Sequence, residues 1–198
     1  MNNGLRVNCE PQAPTYDRVL PKNPIGVRRC LSAVSKAFRS DMTRKTVLWL
    51  LLAAFIVALD QVTKLVVVRH LVVNQAIEVT SFFNLVLVYN PGAAFSFLAS
   101  HGGWQRMLFT GIAVVASIWI VYLLCRHPGQ QLFAFALSLI LAGAIGNLID
   151  RVTVGAVIDF LDFHAFGYHW PAFNVADSAI TCGAVLLVYD ALRPRSKP

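Results

Sequence analysis

Six acidic side chains, Asp60, Glu78, Asp150, Asp159, Asp162 and Asp177, lie within or beside long apolar stretches of a 198-residue chain. Charges at membrane depth cost roughly 2.5–3.5 kcal/mol each on insertion scales, so each acid there needs a reason. The chemistry open to them is that of paired carboxylates. An ionised carboxylate takes a proton from water, while a protonated partner polarises a peptide carbonyl and later assists the departing amine. Two such groups cannot both ionise easily when close together, and partial burial adds to this. They titrate as a unit.

Each acid has a competing structural use. Asp159 stands between Val157-Ile158 and Phe160-Leu161, an apolar setting that gives a carboxylate no evident structural task. Asp177 follows Asn174 by three residues at the start of an apolar helix. Asn174 is placed as its N-cap, and the helix dipole favours an acid in the first turn. Asp150 reads as an ion pair with a nearby arginine or as part of a cap, and Asp162 as a rim residue. Asp60 and Lys64 are four apart on one helical face and can pair. Spacing leaves open which two acids meet.

Other chemistries find little support. There is no G-x-S-x-G, and no H-E-x-x-H. The five histidines lack ligand spacing, so no metal is expected. Cys9, Cys30, Cys125 and Cys182 contain no C-x-x-C and read as unpaired thiols.

These residues must be held by membrane helices. Hydrophobic residues make up 57% of the chain and charged residues 14%, against roughly 45–50% and roughly 25% in soluble domains. A soluble body of this size has too little interior for that much apolar surface. The first apolar run, Val47 to Leu59, is thirteen residues long, short of the roughly 20 needed to span. Its helix must therefore continue through Asp60 and Gln61 toward Lys64, or start earlier. Further runs cover Met107 to Cys125, Leu132 to Ile149, and about 172 to 192. The reading is an α-helical membrane protein with four transmembrane helices. From Leu71 to Leu98, Val, Ile, Thr, Phe and Tyr predominate before Asn90-Pro91-Gly92, which predicts a small sheet and a turn between helices 1 and 2. The faces Gly143–Asn147 and Asn174–Asp177 are rich in small and amide residues, which allows close approach of a helix or a substrate backbone.

Charge distribution gives orientation. Residues 1–45 carry nine Lys/Arg and three Asp/Glu, a net +6, and the remaining 153 residues carry eight and seven, a net +1. The basic segments before helix 1, between helices 2 and 3 and after helix 4 fall on one side, which is cytoplasmic by the positive-inside rule. The net charge of +7 is thus an orientation signal, and no nucleic-acid partner is expected. Residues 1–45 form a basic cytoplasmic extension, disordered or interfacial, with Leu31, Val34 and Phe38 at helical spacing. It has no long apolar run and is not a cleaved signal peptide. Met42 reads as the true start. Residues 46–192 form the membrane-embedded domain and 193–198 a cytoplasmic tail.

Five blocks in order complete the picture: Asp60-Gln61-x-x-Lys64; Asn90-Pro91-Gly92-Ala93-Ala94-Phe95-Ser96; Gly143-x-x-Gly146-Asn147-x-x-Asp150-Arg151; Gly155-x-Val157-x-Asp159-Phe160; and Phe173-Asn174-x-Ala176-Asp177. With them, residues 46 to 192 resemble the lipoprotein signal peptidase (signal peptidase II) family, bacterial inner-membrane aspartyl proteases. The long basic N-terminal extension departs from the family. The resemblance implies that Asp159 and Asp177 form the catalytic dyad. It implies that Asn147, Asp150, Arg151 and Asn174 orient dyad and substrate, and that Asp60, Lys64, Asn90 and Gly92 shape the substrate-binding side. It further implies a periplasmic β-cradle after helix 1, both termini in the cytoplasm, and an active site near the periplasmic face. The implied substrate is a lipid-modified prolipoprotein drawn from the membrane lipid and cut before its diacylglyceryl cysteine. No cofactor is implied, globomycin-type cyclic peptides are the implied inhibitors, and a monomer is expected. The Asn90–Ser96 loop is expected to close over substrate with Gly92 as hinge. Two rival classes are an ion-conducting transporter, for which no broken-helix inverted repeat is evident, and a non-enzymatic lipid-binding or assembly factor.

Overall fold

The computed structural model describes residues 24–92 and 104–193, with side chains from residue 44 onward. The Leu31, Val34 and Phe38 stripe, Met42 and the loop residues Ala93 to Ser96 lie outside the residues so described. The chain divides into two units, Met1–Ser40 and Asp41–Pro198.

Four helices and four strands follow in the order α1 (Pro24–His70), β1 (Ala76–Thr80), β2 (Phe83–Asn90), α2 (Trp104–Arg126), α3 (Gln131–Thr153), β3 (Val157–Ala165), β4 (Tyr168–His169) and α4 (Val175–Leu192). Arg44–His70 within α1, and the whole of α2, α3 and α4, are long and apolar enough to cross a membrane. The short first run is extended as expected: α1 carries on through Asp60 and Lys64 to His70.

α3 is the central helix. Half of its span is buried, against about a fifth for each of the others. Its Ala134, Leu137, Leu141 and Ala142 pack with Ala53 of α1 and with Ile120 and Leu124 of α2. The α2–α3 turn is tied to α1 by Trp49, whose indole N–H donates to the Pro128 carbonyl at 3.2 Å. Glycine sets the α3–α4 spacing. A Cβ on Gly143 would run into the Ala176 carbonyl and lie 2.5 Å from Ile180 Cγ1. This is the close helix approach that small residues permit.

The strands make one antiparallel sheet in the order β1-β2-β3-β4. The sheet expected after helix 1 is present as β1 and β2. The structure adds β3 and β4 from between α3 and α4, so the sheet joins both inter-helix connections. The sequence of β3, with Asp159 and Asp162 inside it, hid the strand pattern. Val67 of α1, Leu87 of β2 and Ile158 and Phe160 of β3 form a second core where sheet meets bundle. β3 also pairs with the chain leading into α4: Phe160 and Leu161 donate their backbone N–H groups to the Phe173 carbonyl at 3.0 and 2.9 Å. This places Asn174 and α4 beside Asp159.

Candidate active site

The site forms where α3 ends, α4 begins and β2 meets β3. Asp150 closes α3: its carbonyl accepts the N–H groups of Val154 and Gly155, with Gly155 at φ +92. A left-handed glycine is a common way to end a helix and redirect the chain, here straight into β3. Asn174 caps α4, accepting the Asp177 backbone N–H on Oδ1 at 2.9 Å. In the sheet, Asn90 pairs with Val157, so its side chain shares a face with Asp159 one diagonal step away.

Behind the cavity lies a buried charged cluster. Lys64 Nζ is 2.8 Å from Asp60 Oδ2 and 2.7 Å from Asp150 Oδ2, all three side chains being sealed from solvent. The Asp60–Lys64 pair is the one its spacing predicts. Asp150 pairs with this lysine and not with an arginine, because α1 places Lys64 against the end of α3. It also accepts the Ile158 backbone N–H at 3.1 Å. Asp60 Oδ1 accepts the Ala176 N–H at 2.9 Å, tying α1 to α4. Burying charge is costly unless pairing and hydrogen bonds satisfy it; here every member is satisfied.

From that cluster amides lead to the two remaining carboxylates. Lys64 Nζ donates to Asn147 Oδ1 at 3.2 Å, and Asn147 Nδ2 donates to Asp177 Oδ1 at 2.7 Å. Asn174 Nδ2 donates to Asp159 Oδ1 at 2.8 Å and to Asn147 Oδ1 at 3.2 Å. Asn90 Nδ2 donates to Asp159 Oδ2 at 3.0 Å, and its own oxygen accepts the Gly92 N–H at 3.0 Å. Arg151 Nη1 donates to the Asn147 carbonyl at 3.2 Å. Hydrogen bonds and ion pairs thus connect all ten residues to which the resemblance gives a role.

Asp159 and Asp177 both line a cavity of about 530 Å³, with Asn90, Gly92 and Arg151. Asp60 and Lys64 do not line it; they stand behind Asn147. Burial pushes the Asp159 carboxyl up to about 7. The amide of Asn90 opposes this, the Asp177 charge reinforces it, and Asn174 and Lys64 oppose it. A carboxyl shifted this far by desolvation and a like charge is suited to proton transfer near neutral pH.

Some features escaped the sequence reading. Asp162, expected at the rim, is buried: it accepts from Asn84 Nδ2 at 2.9 Å and lies 2.9 Å from His169 Nδ1. Those partners outweigh its burial and hold its carboxyl below the ordinary value. Gln61 bridges Asp60 Oδ2, the Gly146 carbonyl and Asp150 Oδ1 at 3.1–3.2 Å; its place in the Asp60–Lys64 block was the available signal. Phe109, Trp170 and Phe173 supply aromatic cavity wall, and nothing marked Phe109 within a largely apolar helix.

The signal peptidase (SPase) II family profile matches residues 52–193. The chain belongs to the signal peptidase II family. Signal peptidase II is an aspartic peptidase, which accords with a cavity holding two carboxylates. Over 146 residues the chain is 62% identical to a lipoprotein signal peptidase of Cupriavidus necator, covering 74% of this chain and 83% of the relative. It is 63% identical over 145 residues to one from Janthinobacterium sp., covering 73% and 88%. Among solved structures it is similar to a bacterial membrane enzyme determined by the in meso method at 1.9 Å. That likeness has a TM-score of 0.67 at 35% identity and covers 74% of this chain and 94% of that one. This signal peptidase II is a multi-pass bacterial membrane protein.

Proposed function

We propose that Asp159 and Asp177 are the catalytic dyad with which this signal peptidase II removes signal peptides from prolipoproteins. The observation that carries the reading is the shared cavity, in which both carboxylates stand with amide donors fixed on them. One carboxylate, ionised, accepts a proton from water as the oxygen attacks the scissile carbonyl. The other, protonated, gives its proton to the carbonyl oxygen. The gem-diol then collapses: the carboxyl that took the water proton gives it to the departing amine as the C–N bond breaks, and the other carboxylate takes a proton back from a diol hydroxyl, so the dyad is again singly protonated.

Asn90, Asn147 and Asn174 hold the dyad, Lys64 holds the Asn147 amide, and Asp150 holds Lys64. Arg151, Asn90 and Gly92 meet the substrate in the cavity wall. Asp60 joins the supporting cluster, acting on the substrate side only through α4. Val88, Pro91, Phe109, Val157 and Phe173 give the cavity an apolar lining, which suits a substrate arriving from the bilayer. The substrate is a lipid-modified prolipoprotein cut before its diacylglyceryl cysteine. Globomycin-type cyclic peptides compete for the same cavity. The sheet and site face the periplasm, with both termini in the cytoplasm. The Lys/Arg distribution supports that orientation.

Incubation of the purified enzyme with a lipidated prolipoprotein, followed by the size shift, tests this. The lipidated form is processed and its unlipidated counterpart far more slowly. Equal rates on the two would contradict the proposed specificity.

A further inference from the structure

Arg151 lines the cavity with two carboxylates. Among the described residues, however, no carboxylate lies within ion-pair distance of its guanidinium. Its Cζ stands 5.6 Å from the centroid of the Phe109 ring, within the range at which an aromatic face attracts a cation. Phe109 comes from α2 and is itself held by Gly92. At φ +109, Gly92 packs so closely that a Cβ there would lie 3.0 Å from Phe109 Cε2 and 3.2 Å from Cδ2. The ring thus stands close to both Gly92 and the guanidinium.

The charges around Arg151 come from all four helices and from β3. Asp150 lies on its own helix, Asp159 on β3 and Asp177 on α4, and all three attract it. Lys64 of α1 faces the same carboxylates, and Arg106 of α2 stands beside Gly155. The attraction would draw the guanidinium onto a carboxylate if nothing else held it.

We infer that the Phe109 ring is a seat that keeps the Arg151 guanidinium in the cavity and off Asp159 and Asp177, which makes Phe109 a positioning residue for the reaction. The inference rests on the reading of those two aspartates as the dyad. A guanidinium in direct contact with a carboxylate favours its ionised form, whereas the dyad needs to keep one proton. An aromatic face holds the cation without neutralising either acid. Guanidinium N–H groups not used on the Asn147 carbonyl remain for a substrate carbonyl oxygen.

The test is the pH dependence of kcat/KM on a lipidated prolipoprotein for the full-length enzyme and its Phe109→Leu and Phe109→Tyr variants. Loss of the ring lets Arg151 settle on a carboxylate, so the proton is lost at lower pH. The alkaline limb of Phe109→Leu moves down by about one pH unit, a roughly tenfold loss above the limb. Phe109→Tyr keeps the limb of the parent. Adding Arg151→Gln to Phe109→Leu returns the limb upward, although activity is weak. Phe109→Met makes the same comparison should the leucine variant fail to fold. A pH-independent loss with the limb unmoved, or a tyrosine variant shifted like the leucine one, overturns the inference. If Asp159→Asn or Asp177→Asn keeps parental activity, the dyad itself is wrong. If both are inactive and the limb is unmoved, only the aromatic seat is.

Discussion

Asn147 donates its side-chain amide to Asp177 at 2.7 Å, and it can do so in only one orientation. Its oxygen already receives Lys64 Nζ and Asn174 Nδ2, both at 3.2 Å. An ammonium group can only donate, so Lys64 fixes which way the amide points. The buried ion cluster thereby determines what Asp177 meets. The same logic holds at Asp159. Asn174 spends its oxygen on the Asp177 backbone N–H and Asn90 spends its own on Gly92, so both turn their NH₂ groups to the carboxylate.

Asn147→Ala removes the donor from Asp177. A hydrogen bond to a charged group contributes about 1.5–3 kcal/mol, so kcat falls roughly 10- to 100-fold with KM little changed. Steady-state kinetics on lipidated prolipoprotein read this directly. A rise in KM at constant kcat would place Asn147 in substrate binding instead.

Asp159 also makes folding depend on pH. Its carboxyl, at about 7 against an ordinary 3.8, binds a proton more tightly folded than unfolded. Its favourable contribution is full below about pH 4 and is lost as pH rises toward 7. This one group therefore lowers stability by up to about 1.4 kcal/mol per pH unit across that window. Asp159→Asn removes the dependence, so its Tm falls less than the parent's between pH 5 and pH 8. Parallel Tm profiles in a thermal-shift series would contradict the shift.

The contact between α3 and α4 should tolerate no added carbon. Gly143→Ala drives a methyl group at the Ala176 carbonyl and Ile180. Overpacking of this kind costs about 1–3 kcal/mol, and it separates Asn147 from Asp177. Tm and activity both drop. Gly111→Ala on α2 is the control: a Cβ there meets nothing within 4 Å, and Tm holds. A similar loss at both positions would mean that close packing is not what Gly143 provides.

Much of this architecture is legible in the residues because lipid makes the rules severe. Apolar runs longer than a core needs become helices, and the i,i+4 spacing of Asp60 and Lys64 gives a pair that the structure shows at 2.8 Å. Asn174 reads as a cap and is one. Other contacts depend on tertiary placement. Asp150 finds Lys64 because α1 and α3 cross there, across 86 residues of sequence. β3 is obscured by its own acids, and Asp162 is buried by Asn84 and His169 from neighbouring strands. Phe109 is one of thirteen phenylalanines, and its place in the cavity wall is set by tertiary packing.

The most direct test of the central claim is cleavage of a lipidated prolipoprotein by Asp159→Asn and Asp177→Asn, each shown to be folded and inserted in the membrane. Each removes one carboxyl from a pair that must share a proton, so neither variant should yield processed product. Parental turnover by either one would take that aspartate out of the dyad and contradict the account.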